Sequence, residues 1–194
     1  MQMIKVDDNG LNQLRDALRQ AALPCDDVSE PGRQFYRFEV AGEWVAFGGL
    51  EGSAPDMLLR SMVVCDERRG KGLGKQVLLA LEQCAASQGV LRLHLLTQGA
   101  AGFFAANGYE RFDRHEAPGA IKQTAQFEHL CPASASYLRK TFSASQNDNF
   151  GLRKVLALAI FGQQSGEANK TAGRCSRHCS LNALSTRSSS GFNR

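Results

Sequence analysis

Residues 58–88 read LLRSMVVCDERRGKGLGKQVLLALEQCAASQ, and the order of residue types along them decides how the rest of the chain is understood. The apolar-rich run over 57–65 has strand length and stops at four charged residues, Asp66, Glu67, Arg68 and Arg69. Gly70, Gly72 and Gly74 come next at alternate positions, and Val77, Leu78, Leu81 and Ala85 follow at the spacing of one helix face. This predicts a strand, a glycine-rich turn and a helix that Gly89 ends. Glycines let a backbone approach a ligand closely, and the first amides of a helix have no acceptor inside it. Those amides, the helix dipole and the side chains of Arg69, Lys71 and Lys75 together suit a phosphate or a diphosphate.

Three glycine-rich patterns compete for these residues. A Walker loop, G-x-x-x-x-G-K-[ST], fails at both ends, with Arg69 at its first glycine and Gln76 at its hydroxyl position. A dinucleotide fingerprint, G-x-G-x-x-G, fails because its third glycine falls on Lys75. The pattern [QR]-x-x-G-x-[GA] fits Arg69-Gly70-Lys71-Gly72-Leu73-Gly74 without a gap. On this hexamer, with a strand before it and a helix after it, the chain resembles the GNAT superfamily of acyl-CoA-dependent N-acyltransferases. The resemblance covers residues 1–142 and implies the α/β GNAT fold, a mixed, splayed central sheet flanked by helices. A glycine-rich surface turn with solvated charges is the plainer alternative.

The 194 residues suffice for one domain with a full core. No apolar run approaches the roughly 18 residues of a membrane span, and the start, MQMIKVDDNG, has no signal-peptide core. A cytoplasmic protein without a membrane partner is expected. Cysteines stand at 25, 65, 84, 131, 175 and 179; no pair in the first 140 residues has metal or redox spacing, so they are read as reduced and mostly buried. The formal charge of +4 is uneven: seven Lys/Arg against two Asp/Glu follow Phe142, leaving the body at about −1. A basic tail on a neutral body is a weak argument for nucleic acid, and no such partner is expected. Residues 143–194, biased toward Ser, Asn, Gly and Arg, offer too little apolar surface to offset chain entropy, so a largely disordered tail with one short helix near 152–160 is expected. Cys175, His178 and Cys179 supply three ligands within five residues and no fourth, a poor tetrahedral set, and no metal is expected.

Taken in order, Leu11, Leu14, Ala17, Leu18, Ala21 and Ala22 predict a first helix, with Asp7, Asp8 or Asn9 as cap and Pro24 as stop. Residues 35–40 and 44–50 read as a hairpin turning at Ala41 and Gly42. Strands are expected at 57–65, 91–97, 109–113 and 135–140, and helices at 100–107 and 121–127. This mixed order agrees with the layout that the resemblance implies.

Longer strings narrow the resemblance. APGAIKQTAQF at 117–127 and LCPASA at 130–135, with LLRSMVV at 58–64 and LLTQGAAGFF at 95–104, are similar to the arsenic-resistance branch of GNAT acetyltransferases. That branch is tied by name to arsenic-resistance gene clusters, which leaves the acyl acceptor open. Residues 143–194 have no counterpart in it.

The family resemblance implies acetyl-CoA as cofactor. The backbone of Met62, Val63 and Val64 would pair with the pantetheine arm, one N–H facing the thioester oxygen. The amides of Gly70, Lys71, Gly72, Leu73, Gly74 and Lys75 would hold the diphosphate, with added charge from Arg69 and Lys71. One preorganised donor to an oxyanion is worth ~3 kcal/mol, more than most side chains add. The chain departs from the superfamily at the group that protonates the leaving thiolate. The motif A-x-x-F-Y-x-x-x-G-[FY] maps onto residues 100–109 with Phe104 in the tyrosine position. Phenylalanine has no proton to give, although a thiol of pKa roughly 8.5 leaves tolerably as thiolate. Tyr109 is read as core.

The base candidate is Glu51, ahead of Glu39 and Glu43, because it follows Gly48-Gly49-Leu50, where a bulge would splay the sheet beside the acceptor. A solvated turn carboxylate is its alternative. Arg60, in an apolar strand, is costly unless paired; it either forks onto a substrate carboxylate or oxyanion or pairs with Glu51. Gln126 and Cys131 are candidates for the acceptor pocket, His94 for a satisfied core histidine, and His115 and His129 for the surface.

The expected function is an acetyl-CoA-dependent N-acetyltransferase, monomeric or homodimeric, acting on the amine of a small molecule, with an amino-acid-like toxic compound linked to arsenic resistance as the candidate. An α-amino group titrates near pKa ~8, which suits a site with few acid–base groups better than a lysine near ~10.4. A non-catalytic acyl-CoA-binding sensor or scaffold is the alternative that Phe104 keeps open.

Overall fold

A computed structural model describes residues 1–142. The expected tail with its short helix, and Cys175, His178 and Cys179, lie outside the described residues. In chain order the elements are β1 (Gln2–Lys5), α1 (Leu11–Gln20), β2 (Arg33–Val40), β3 (Glu43–Ser53), β4 (Asp56–Val64), α2 (Leu73–Ala86), β5 (Arg92–Thr97), α3 (Ala101–Ala105), β6 (Glu110–Phe112), α4 (Gly119–Lys122) and β7 (Ser136–Thr141). The seven strands form one sheet in the order β1-β2-β3-β4-β5-β7-β6. Every neighbouring pair is antiparallel except β4 and β5, whose parallel pairing requires a crossover, supplied by the glycine turn and α2. This is the mixed, splayed sheet flanked by helices that the family resemblance implies.

Alternation along the strands divides the core between the two faces. Val45 and Leu50 of β3, with Met57 and Leu59 of β4, pack against Val77, Leu78, Leu81 and Ala85 of α2 and against Phe104 of α3. Phe35, Phe47 and Val63 point the other way, onto Leu14 and Leu18 of α1, while Leu58 meets Ile121 of α4 and Tyr137 of β7. Gly48 lets α2 lie close to the sheet: a Cβ there would sit 2.5 Å from Leu81 Cδ1.

The parallel pairing of β4 and β5 covers only Asp56–Leu58 against Arg92–His94. Beyond it β4 runs on to Val64 beside β3, while β5 pairs along its length with β7. The cause lies in the β3–β4 register, where Phe47 faces Val63 and Gly49 faces Arg60, so that Ser61 and Met62 oppose Gly48 alone. This is a bulge, which bends its strand and raises the local twist. Ser61 takes a left-handed backbone, φ +55, to form it. The bulge expected at Gly48-Gly49-Leu50 thus exists, with its extra residue on β4 rather than on the hairpin strand.

Four local expectations differ. β1 was not predicted; its four residues carry no alternation clear enough to separate a strand from a connection. The cap of α1 is Gly10, with Asp7 Oδ1 accepting the Gly10 N–H at 2.9 Å instead of capping the helix. The helix expected at 121–127 ends at Lys122, because the Thr124 hydroxyl donates to the Ile121 carbonyl at 2.7 Å and competes with the helical ladder. A wide turn, Gln126–Leu130, follows, closed by the Cys131 N–H on the Gln126 carbonyl at 3.0 Å. Cys25, Cys65, Cys84 and Cys131 are free thiols as expected, but only Cys25 is buried. Among the described residues no helix is long and apolar enough to cross a membrane.

Candidate functional site

Where β4 and β5 part, a cleft of about 670 Å³ opens. Ser61 and Met62 of β4, Leu95 and Leu96 of β5 and Phe103 and Phe104 of α3 line it. Residues 21–24, after α1, and the segment bearing Gln126, Leu130, Cys131 and Pro132 complete the lining. Of the residues singled out in the sequence, Arg60, Met62, Arg69, Gln126 and Cys131 come together here. Among the described residues, no carboxylate lines the cleft. Phe104 borders it, and Tyr109 lies behind, 2 % exposed, its ring edge-on to Phe104 at 5.5 Å. Burial pushes the Tyr109 phenol well above its usual range, as fits a core residue.

The strand edge and the glycine turn meet at this cleft. The Cys65 N–H donates to the Val45 carbonyl of β3 at 2.9 Å, so by alternation the Val64 amide and carbonyl face away from β3. Val63 turns its side chain into the α1 face, and Met62 packs on the α2 face. Gly72, left-handed at φ +75, is the N-cap of α2, and the first bond from the turn into the helix is Gln76 N–H to the Gly72 carbonyl at 3.3 Å. Among the described residues, the amides from Gly70 through Leu73 and Gly74 to Lys75 donate to no protein acceptor. A Cβ on Gly74 would lie 3.5 Å from the Phe103 ring, which sets this first turn against the cleft.

The charges around the turn are arranged differently from expectation. Arg69 donates from Nε to the Val64 carbonyl at 3.2 Å and pairs through Nη2 with Asp66 at 2.8 Å. Lys71 donates to the Glu67 carbonyl at 3.2 Å. Both side chains fold back onto the 3-10 turn Asp66–Arg68, since those acceptors lie within one turn of them, and Lys75 stays exposed.

Arg60 makes the pairing with Glu51 considered for it, and that pairing engages the carboxylate named as base candidate. The Arg60 guanidinium is completely buried and forks onto Asp27, Nη1 to Oδ2 at 2.7 Å and Nη2 to Oδ1 at 2.6 Å, while Nη1 also meets Glu51 Oε2 at 2.5 Å. Arg33 pairs with both carboxylates, at 3.1 Å to Asp27 and 3.5 Å to Glu51. Burial alone would push the Asp27 carboxyl up, but the bonds from Arg60 and the charge of Arg33 hold it below the usual carboxylate range. Burial likewise opposes the Arg60 charge, and its carboxylate partners more than restore it. Arg60 therefore takes the pairing alternative, and its guanidinium has no free fork for a substrate. Glu51 is not among the residues that line the cleft, and two guanidinium groups, those of Arg60 and Arg33, engage its carboxylate.

His94 is the satisfied core histidine expected. Its Nε2 lies 2.8 Å from Asp56 Oδ1 and its Nδ1 2.7 Å from the Tyr137 hydroxyl. An ionised carboxylate only accepts, so Nε2 carries the proton and Tyr137 donates to Nδ1. Arg92 completes the cluster by forking onto Asp56, at 2.5 and 2.7 Å. His115 and His129 are exposed, and no cluster of three metal-ligating side chains occurs among the described residues.

Two residues central to this site went unnoticed in the sequence. Asp27 sits in a turn-rich connection, where an acidic residue is ordinary; the need of Arg60 for a partner was visible, but it pointed to Glu51 alone. Arg114, in a short 3-10 turn, reaches the wall of the cleft, and nothing in its neighbours along the chain signals that.

Residues 31–111 match the family model of the acetyltransferase (GNAT) domain. The described residues have the GNAT fold of the acyl-CoA N-acyltransferases. It is 31% identical over 112 residues to an L-methionine sulfoximine/L-methionine sulfone acetyltransferase of Pseudomonas paraeruginosa, covering 57% of this chain and 61% of that protein. The chain thus spans about three fifths of the curated relative it matches. Among solved structures, Rv2747 of Mycobacterium tuberculosis, in complex with CoA, aligns with a TM-score of 0.62 at 16% identity, over 74% of this chain and 100% of that one. N-acetylglutamate synthase of Neisseria gonorrhoeae, complexed with coenzyme A and L-arginine, aligns with a TM-score of 0.60 at 14% identity, over 73% of this chain and 33% of that one.

Proposed function

We propose that the chain is an acetyl-CoA-dependent N-acetyltransferase acting on the amine of a small molecule, with residues 1–142 as its catalytic domain. The observation that carries this reading is the parting of β4 and β5 beside the turn into α2: Gly74 sits against Phe103 and Met62 of the cleft lining, and the amides of residues 70–75 have no acceptor among the described residues. Those amides suit a diphosphate, and the free edge of β4 at Met62, Val63 and Val64 suits an extended amide-bearing arm. Acetyl-CoA, when bound, supplies the acetyl group as an activated thioester. The chain itself aligns the arm along β4, offers backbone donors where negative charge develops, and excludes water with Phe103, Phe104 and Leu95.

The lining supports a small neutral or zwitterionic acceptor. With no carboxylate in the cleft among the described residues, a polycation gains nothing there, and no side-chain base stands ready to deprotonate an ammonium. An amine already largely neutral near pH 8, such as an α-amino group, needs no such base. The curated relative's printed substrates are of this amino-acid kind, and the strings at 117–127 and 130–135 support a link with arsenic resistance. Gln126 is proposed to face the acceptor, while Arg60 supports the pocket from behind. The protein is proposed to work in the cytoplasm as a monomer or homodimer, without nucleic-acid or membrane partners.

A second reading, a sensor that holds acyl-CoA without turnover, draws on Phe104 lining the cleft where an acid would otherwise stand. Calorimetry with coenzyme A and thiol release from acetyl-CoA over a panel of amines separate the two. Binding with release supports the enzyme; tight binding with no release for any amine favours the sensor; no binding defeats both.

A further inference from the structure

We infer that Arg114 is a positioning residue that holds the acceptor-side wall of the cleft, residues 126–132; this rests on the reading of the cleft as the acyl-acceptor site. Arg114 donates from Nη2 to the Phe127 carbonyl at 2.6 Å and from Nη1 to the Pro132 carbonyl at 2.9 Å, and its guanidinium lies 4.5 Å from the centre of the Phe127 ring. The two carbonyls bracket Leu130 and Cys131, and Gln126 stands just before the first; all three line the cleft.

This wall has little regular structure to hold it. The wide turn Gln126–Leu130 is closed by the Cys131 N–H on the Gln126 carbonyl, and the Cys131 thiol lies 3.3 Å from Gln126 Oε1. An isolated turn of this kind opens easily unless other groups pin it. Arg114 is itself fixed: Asp113 and Glu116 form a reciprocal capping box around its turn, with the Asp113 N–H on Glu116 Oε2 at 3.1 Å. A planar fork reaching two carbonyls while stacking on an aromatic ring is work that a lysine ammonium cannot repeat.

Arg114→Met and Arg114→Lys test this through the Cys131 thiol. Iodoacetamide labelling is followed residue by residue by mass spectrometry, with Cys84 as the internal reference. Loss of charge-assisted bonds to two carbonyls is expected to raise Cys131 labelling at least about fivefold in both variants, with Cys84 within about twofold of the parent. Coenzyme A affinity, read by calorimetry, is expected to stay within about twofold, whereas the KM of an acceptor found in the amine panel rises about tenfold. Unchanged Cys131 labelling in a folded variant, or restoration of the parent rate by lysine, overturns the inference. Should Arg114→Met fail to fold, Arg114→Lys decides alone. Absence of coenzyme A binding by the parent protein defeats the proposed function, and the labelling still decides whether Arg114 holds the wall.

Discussion

Arg60 of β4 and Asp27 of the α1–β2 connection meet in a buried fork, with both carboxylate oxygens within 2.7 Å of the guanidinium. The pair ties the connection that walls one side of the cleft to the strand whose bulge opens it. Removing one partner of such a pair leaves a buried charge without full compensation. Asp27→Asn is expected to lower the unfolding free energy by about 3 kcal/mol, the low end for a broken buried pair because Glu51 still meets Arg60. Urea denaturation at neutral pH reads it. Because the folded carboxyl is held below its ordinary value, this stabilisation is complete above the unfolded pKa near ~3.9 and fades as pH falls through the folded value.

Gly72 sets the entry to α2. No atom lies within 4 Å of a Cβ built there, so space does not forbid a side chain, but the left-handed backbone does. Gly72→Val is expected to cost roughly 1–2 kcal/mol of stability and to weaken coenzyme A binding at least about tenfold by displacing the amides of the first turn. Calorimetry on the folded variant checks it, and an unchanged Kd would remove the basis of the proposed function.

His94 makes stability depend on pH in a defined direction. Burial holds its pKa below the ordinary value, although Asp56 pulls the other way, so the unfolded chain takes up a proton before the folded one. Its contribution is complete above the unfolded pKa near ~6.5 and falls on acidification toward the lowered folded value, by at most ~1.4 kcal/mol per pH unit. Denaturant midpoints between pH 7.5 and 5 are expected to drop in the parent protein along that slope. His94→Gln flattens the slope.

A cleft without a carboxylate leaves deprotonation of the amine to solvent. For an α-amino acceptor, kcat/KM is expected to rise about tenfold per pH unit until the amine's own pKa near ~8 and then level off. A plateau already reached at pH 6.5 would mean that a side chain on this protein takes the proton.

Phe104 occupies the place where a tyrosine could protonate the leaving thiolate. A thiol of pKa roughly 8.5 departs without help, so Phe104→Tyr is expected to change kcat by less than about threefold. Stopped thiol-release assays at saturating acetyl-CoA measure it; a gain of a hundredfold would show that proton delivery limits turnover.

The alternating glycines after a charged stop, followed by an apolar stripe at helical spacing, were enough to place the turn, α2 and the strand before it, because backbone freedom and hydrophobic period are properties of neighbouring residues. The same held for the hairpin at Ala41 and Gly42 and for buried His94, whereas Phe104 was singled out by the family motif alone. Local rules were blind to pairings across the sheet. Whether Arg60 reaches a substrate or Asp27 depends on where a connection 33 residues earlier folds, and whether Arg114 touches the cleft depends on a carbonyl 18 residues later. Arg69 and Lys71 turned back onto their own turn because acceptors at Val64, Asp66 and Glu67 come within reach only once the chain bends there. Ionic and carbonyl partners are chosen by distance in space, which the order of residues does not state, and this is why the backbone half of the site was legible and the side-chain half was not.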